Sequence, residues 1–104
     1  MVLAAWASAG APAAAFFGRH TLAWQVLRND VTSKIARQMA ARGWNREMIR
    51  RAITAGRQFP EVNMANGNPA ARFVDPQTGL SVVVDLVTKA VIHVGAAGFR
   101  YGLR

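Results

Sequence analysis

Apolar residues change their period once along this chain, close to Gly56. Before it they recur at helical spacing. Val31, Ile35 and Met39 stand four apart, which places them on one stripe of a helix. The stretch from Asp30 to Ser33 is rich in N-capping residues, and Gly43 is placed to end that helix. Asn45 is a capping residue for a second helix, with Trp44 and Ile49 spaced as a hydrophobic staple. Met48, Ile49, Ala52 and Ile53 form its buried side, and Gly56 stops it. An earlier helix is predicted over 13–27, after an uncharged opening, MVLAAWASAGAPAAAFFG, broken by Gly10 and Pro12.

After Gly56 the period shortens to two. ARFV (71–74) reads as a strand, and DPQTG (75–79) as a turn, with Pro76 and Gly79 where a turn needs them. LSVVVDL (80–86) is the strongest strand signal, being β-branched and almost continuously apolar. AVIHV (90–94) follows across a short turn at 87–89, and GFRYG (98–102) is a candidate last strand. Alternation along AVIHV places His93 on the face of Val91, opposite Ile92 and Val94. Two or three helices followed by three or four antiparallel strands predict an α+β fold, the helices packed on one face of a twisted sheet. NMANGNPA (63–70) is the longest irregular segment and the expected functional loop. No internal repeat or second domain is evident. Residues 1–12 read as a linker or delivery-segment remnant, and 13–104 as the folded domain.

Charge changes the picture more than composition does. The chain has 13 Lys and Arg against 5 Asp and Glu, a net charge of +8. Residues 34–57 hold seven of those cations (Lys34, Arg37, Arg42, Arg46, Arg50, Arg51, Arg57) beside one acid, Glu47. Solubility requires no such clustering, so a polyanionic partner is expected. Three classes fit: nucleic acid, an acidic protein, or an anionic membrane met through residues 1–27. The opening run lacks a basic leader and carries two helix breakers, which makes it a poor signal peptide and a poor membrane span.

Most chemistries are excluded by what is missing. There is no cysteine, and the histidines are His20 and His93 alone, which leaves no disulfide framework, no thiolate nucleophile and no ligand set for zinc. Five scattered acids argue against a glycosidase or a Mg²⁺-dependent nuclease. No phosphate-binding glycine loop, nucleophile elbow or HExxH motif occurs. Neither metal nor cofactor is therefore expected. A metal-free phosphodiesterase remains, in which RNA supplies its own 2′-OH nucleophile. The protein then needs only proton exchange and cations for the crowded phosphorane. A lysine among other cations loses its proton more easily, and an arginine clamps phosphate oxygens in pairs.

The segments KIARQMAARGW, GNPAARF and LSVVVDLVTKAVIHV together resemble the ribonuclease domain of the E-five type of colicin. Such domains recur as C-terminal warheads of polymorphic and contact-dependent inhibition toxins. The resemblance covers residues 33–95. It implies a RelE- or barnase-like fold and cleavage of tRNA in the anticodon loop, leaving a 2′,3′-cyclic phosphate. It further implies delivery as part of a larger exported effector into the cytoplasm of a target cell, and an acidic immunity protein that covers the basic face. By position, Lys34 and Arg42 take the catalytic roles. A further lysine of the family falls where the 57–68 loop is shortened, and Arg57 and Arg72 are candidates to replace its charge. The family has no counterpart to His93, which either adds acid–base capacity or is a structural histidine of the sheet. Arg37, Arg46 and Arg50 suit phosphate contacts. Asn68, with Asn66, suits base edges or simply turns, while Tyr101, Phe73 and Phe99 suit base stacking or the core. The rival is a non-catalytic nucleic-acid-binding module that uses the helix–turn–helix at 33–55.

Overall fold

A computed structural model describes residues 12–95, with side chains from residue 18 onward. Helices α1 (Pro12–Arg28), α2 (Ser33–Arg42) and α3 (Arg46–Ala55) precede strands β1 (Arg57–Val62), β2 (Pro69–Val74), β3 (Ser81–Asp85) and β4 (Val91–Val94). The strands form one antiparallel sheet in the order β1-β2-β3-β4. The fold is therefore α+β, as the change of period predicts.

Local chemistry sets the helix ends. Thr32 caps α2, its hydroxyl accepting from the Ile35 amide at 3.2 Å. Gly43 closes that helix at φ 73°, a left-handed conformation that only glycine adopts without strain. Asn45 caps α3 by accepting from the Met48 amide at 2.9 Å. Val31 departs from the expected stripe. It precedes the cap and stays 41% exposed, so the buried side of α2 begins at Ile35. Arg19 on α1 donates to the Ile53 carbonyl at 2.7 Å and to the Gly56 carbonyl, satisfying groups that the end of α3 leaves open.

The core lies between the helices and one sheet face. Ala23, Val26, Ile35, Trp44, Met48, Ile49, Ala52 and Ile53 meet Ala71, Phe73, Val82, Val84, Val91 and Val94. Gly56 sits where α3 turns into β1, so close to β2 that an added Cβ would lie 2.1 Å from the Val74 carbonyl oxygen.

Strand β1 is not foreseen in the sequence, because Pro60 interrupts the run RQFPEV and removes an amide. Its place at the sheet edge explains the tolerance, since an edge strand needs only half of its amides in the ladder. The candidate strand at 98–102 lies outside the described residues.

The three hairpins of the described residues close with the same six-residue turn, a short repeat not expected from the sequence. The first residue is Asn63, Asp75 or Asp85. Its carbonyl accepts from the amide of the fifth residue, Gly67, Gly79 or Lys89, at 2.7, 2.8 and 2.8 Å. Its side chain accepts from the amide of the third, Ala65, Gln77 or Val87, at 3.0, 3.2 and 2.8 Å. The fifth residue is left-handed each time, with φ 78°, 76° and 64°. Two of these positions are glycine; the third is a lysine.

Candidate functional site

Lys34, Gln38 and Arg42 stand four residues apart on α2 and line the helix face that runs along β4. Ile35, buried, and Met39, packed against the core, fix the rotation of that face. Among the described residues β4 is the last strand of the sheet, and α2 runs along it. The Val94 amide donates to Gln38 Oε1 at 3.3 Å, and Arg42 Nη1 donates to the Val94 carbonyl. Trp44 Nε1 donates to the Gly95 carbonyl at 3.1 Å. Gln38 thus holds the strand edge rather than facing water.

His93 joins this group through a β-bulge. Val84 pairs with Val91 and Val83 with His93, so Ile92 is the extra residue of β4. The bulge separates His93 from Val91, contrary to simple alternation. Val91 joins the core with Val94, and His93 turns to the opposite face beside Val83. There the imidazole is half-buried, and its pKa is held below the ordinary value, first by burial and then by the charges of Arg42 and Lys34. That influence brings the three predicted catalytic residues into one electrostatic neighbourhood. Lys34 is exposed, makes no ion pair among the described residues, and lines a cleft with Thr32, Asn63, Ala65, Ala90 and Ile92.

The remaining predicted positions divide by partner. Arg50 pairs with Glu47, Nε to Oε1 at 2.9 Å, on the exposed side of α3. Arg46 donates to the Leu27 carbonyl at 2.8 Å. Arg51 grips buried Asp75 through two bonds of 2.7 Å. The Arg51 guanidinium holds Asp75 well below the usual carboxylate range, helped by Thr78 and the Gln77 amide against the cost of burial. Arg72 is buried, 3.3 Å from Glu61 and with its guanidinium 4.4 Å from the centre of the Phe59 ring. Arg57 lies over the same ring at 5.2 Å. Both cations proposed to replace the loop lysine therefore flank Phe59, on the strands farthest from β4. Arg37 is exposed on α2. Tyr101 and Phe99 lie outside the described residues, and Phe73 is core.

The irregular loop is ordered by one carboxylate. Asp85, fully buried, accepts from the side-chain amides of Asn63, Asn68 and Asn66 at 2.8, 3.0 and 3.3 Å, and from the Val87 and Thr88 amides at 2.8 and 3.0 Å. Burial alone would raise its pKa, but these donors outweigh it and hold the group well below the usual range. Asn68 and Asn66 spend their amides on Asp85, so the loop presents chiefly its backbone and Ala65 to the Lys34 cleft. Sequence reading missed Asp85 as the organiser of the loop and Gln38 as the clamp on β4. The first signal was the Asx residue opening each turn; the second was the four-residue spacing from Lys34 to Arg42.

The acids are therefore largely engaged. Glu47, Glu61 and Asp75 are matched by arginines, and Asp85 by asparagines and backbone. Lys34, Arg37 and Arg42 on α2 are among the cations with no carboxylate partner within the described residues. Among the described residues, no group of three His, Asp or Glu side chains could hold a metal ion, and no helix is long and apolar enough to cross a membrane. Comparison with family models, curated proteins and solved structures finds no match to this chain.

Proposed function

We propose that this protein is an endoribonuclease that cleaves tRNA without a metal, in the anticodon loop, by attack of a ribose 2′-OH on the adjacent phosphate. The observation that carries the reading is that Lys34 and Arg42 lie along β4, the strand that holds a half-buried His93, with Arg42 bonded to the neighbouring Val94 carbonyl and both cations lowering the imidazole's pKa. The resemblance of residues 33–95 to the colicin-type ribonuclease domain supports Lys34 and Arg42; the choice of His93 rests on the structure alone.

The chemistry divides among three groups. His93, kept neutral by burial and by its cationic neighbours, accepts the proton of the 2′-OH as that oxygen bonds to phosphorus. Arg42, anchored by the Val94 carbonyl, and Lys34 face the charge that builds on the phosphorane oxygens. The bond from phosphorus to the 5′-oxygen then breaks, with the Lys34 ammonium giving that oxygen its proton. The products are a 2′,3′-cyclic phosphate and a 5′-hydroxyl, and solvent returns both side chains to their starting protonation. The basic face suits an acidic immunity protein as well as RNA, and the setting would be a larger delivered effector acting in a target-cell cytoplasm.

The binding-module alternative draws less support, because Arg50 and Arg51 of α3 already have carboxylate partners. Incubation of the purified protein with total tRNA in EDTA, followed by sequencing of fragment ends, is the test. Cleavage with cyclic-phosphate ends is expected, lost in Lys34→Ala, Arg42→Ala and His93→Gln. Intact tRNA at micromolar protein refutes the enzyme.

A further inference from the structure

A second surface at the helix end of the molecule is not used by the cleavage site. Trp24, on the outer side of α1, is 65% exposed, and the Arg28 guanidinium lies 5.8 Å from its ring centre. Beside them an open cleft of about 290 Å³ is lined by Gln25, Arg28, Asn29, Thr88 and Lys89, without a carboxylate. Asn29 ties α1 to the β3–β4 turn through the Thr88 and Lys89 carbonyls, at 3.2 and 2.8 Å, which holds the two basic residues on one rigid wall. The same turn continues into Ala90 and Ile92, which line the Lys34 cleft.

Lys89 supplies an independent sign of function. It occupies the left-handed position that Gly67 and Gly79 fill in the other two hairpins, at φ 64°. A side chain there is strained where glycine is not, so a lysine at such a turn points to a place where its charge has a use. Its ammonium gives one bond to the Leu86 carbonyl, at 2.6 Å, and has two further protons to donate.

We infer that Trp24, Arg28 and Lys89 form a second contact for the RNA, outside the cleavage site, where Trp24 stacks on an unpaired base and the two cations hold the adjoining phosphates. The inference rests on the ribonuclease reading for its ligand. Single-stranded RNA is preferred to a membrane because the cleft beside the indole is polar and basic, and its wall at Thr88 and Lys89 is followed directly in the chain by Ala90 of the Lys34 cleft. An aromatic face flanked by cations matches the alternation of bases and phosphates along a strand.

The test uses the full chain carrying Lys34→Ala, so that tRNA is bound without turnover, with Trp24→Ala, Arg28→Ala or Lys89→Gly added. Trp24→Ala should weaken tRNA binding about 5- to 150-fold, the range for loss of one base stack. Arg28→Ala and Lys89→Gly should each lower the slope of log affinity against log salt by about 0.7. Lys89→Gly should at the same time raise the melting temperature, which a damaged fold would not do. With Lys34 restored, the advantage in kcat/KM of tRNA over a dinucleotide containing the cleaved bond should shrink by the factor lost in binding. Unchanged tRNA affinity in Trp24→Ala overturns the inference. So does a Trp24→Ala protein that loses binding to phosphatidylglycerol vesicles while keeping its hold on tRNA. If tRNA binding depends on Trp24 but the wild type cleaves nothing, the enzyme reading falls and this contact stands; if the wild type binds no tRNA, both fall.

Discussion

Replacing Asp85 by asparagine changes almost no volume, yet it should be among the most damaging substitutions in the domain. The buried carboxylate takes five donors: the Val87 and Thr88 amides on Oδ1, and the amides of Asn63, Asn66 and Asn68 on Oδ2. An asparagine has one oxygen, so its NH₂ must face at least two of these donors whichever way it turns. The neighbouring asparagines cannot simply flip to compensate. Asn63 Oδ1 already accepts from the Ala65 amide at 3.0 Å, and Asn66 Oδ1 from the Asn68 amide at 2.9 Å. A hydrogen bond to a charged group contributes about 1.5–3 kcal/mol, so losing two of them, with some relaxation, should cost about 3–5 kcal/mol. For a domain of this size that lowers the melting temperature by roughly 12–40 °C. Urea unfolding followed by circular dichroism measures it. There is also a pH signature. The native carboxyl lies below its unfolded value, so its contribution is present above about pH 4 and is lost as pH falls below that. Asp85→Asn should therefore flatten part of the acid limb of stability against pH. A loss below about 1 kcal/mol with an unchanged acid limb would refute the account of the loop, since the central cost per lost bond already exceeds that.

Three other outcomes follow from particular contacts. Gly56→Ala puts a Cβ 2.1 Å from the Val74 carbonyl oxygen and 2.5 Å from that of Ala52; separating α3 from β2 should cost about 2–3 kcal/mol by urea titration. His93 titrates below its usual 6.5 in the native state, so the unfolded chain binds the proton more readily and stability falls as pH drops below about 6.5. His93→Gln should lack that decline in melting temperature between pH 7 and 5. Arg42→Ala should lower both stability and tRNA cleavage, because its guanidinium also holds the Val94 carbonyl. Arg42→Lys should recover most of the melting temperature but little of the rate, since a lysine cannot donate in parallel pairs.

The basic stretch at 34–57 reads in sequence as one patch, but folding divides it by partner. Glu47 stands three residues before Arg50, a pairing local spacing allows, but nothing local shows that Asp75 will take Arg51. Asp75 is 24 residues from Arg51 in sequence and meets it only because the β2–β3 turn comes back to the flank of α3. Arg72 is likewise a solvent-facing cation by local pattern, yet the β1–β2 register places it against Phe59 and Glu61.

What the sequence determined by itself was local in origin. Capping residues, glycine stops and the change of period from helix to strand set the order and near-limits of α2, α3 and the β2–β3 hairpin, because caps and side-chain periodicity act within a few residues. β1 escaped because a proline within a strand carries a meaning that depends on whether the strand is at an edge. The orientation of His93 escaped because one extra residue in β4, visible only against β3, separates it from Val91. The sheet also decided how some cations are used: Lys34 and Arg42 lie along β4 near its histidine, while Arg51 on α3 meets Asp75 of the β2–β3 turn. Charge is counted along a chain, but its use depends on separations across the fold, and those exist only once the hairpins have closed.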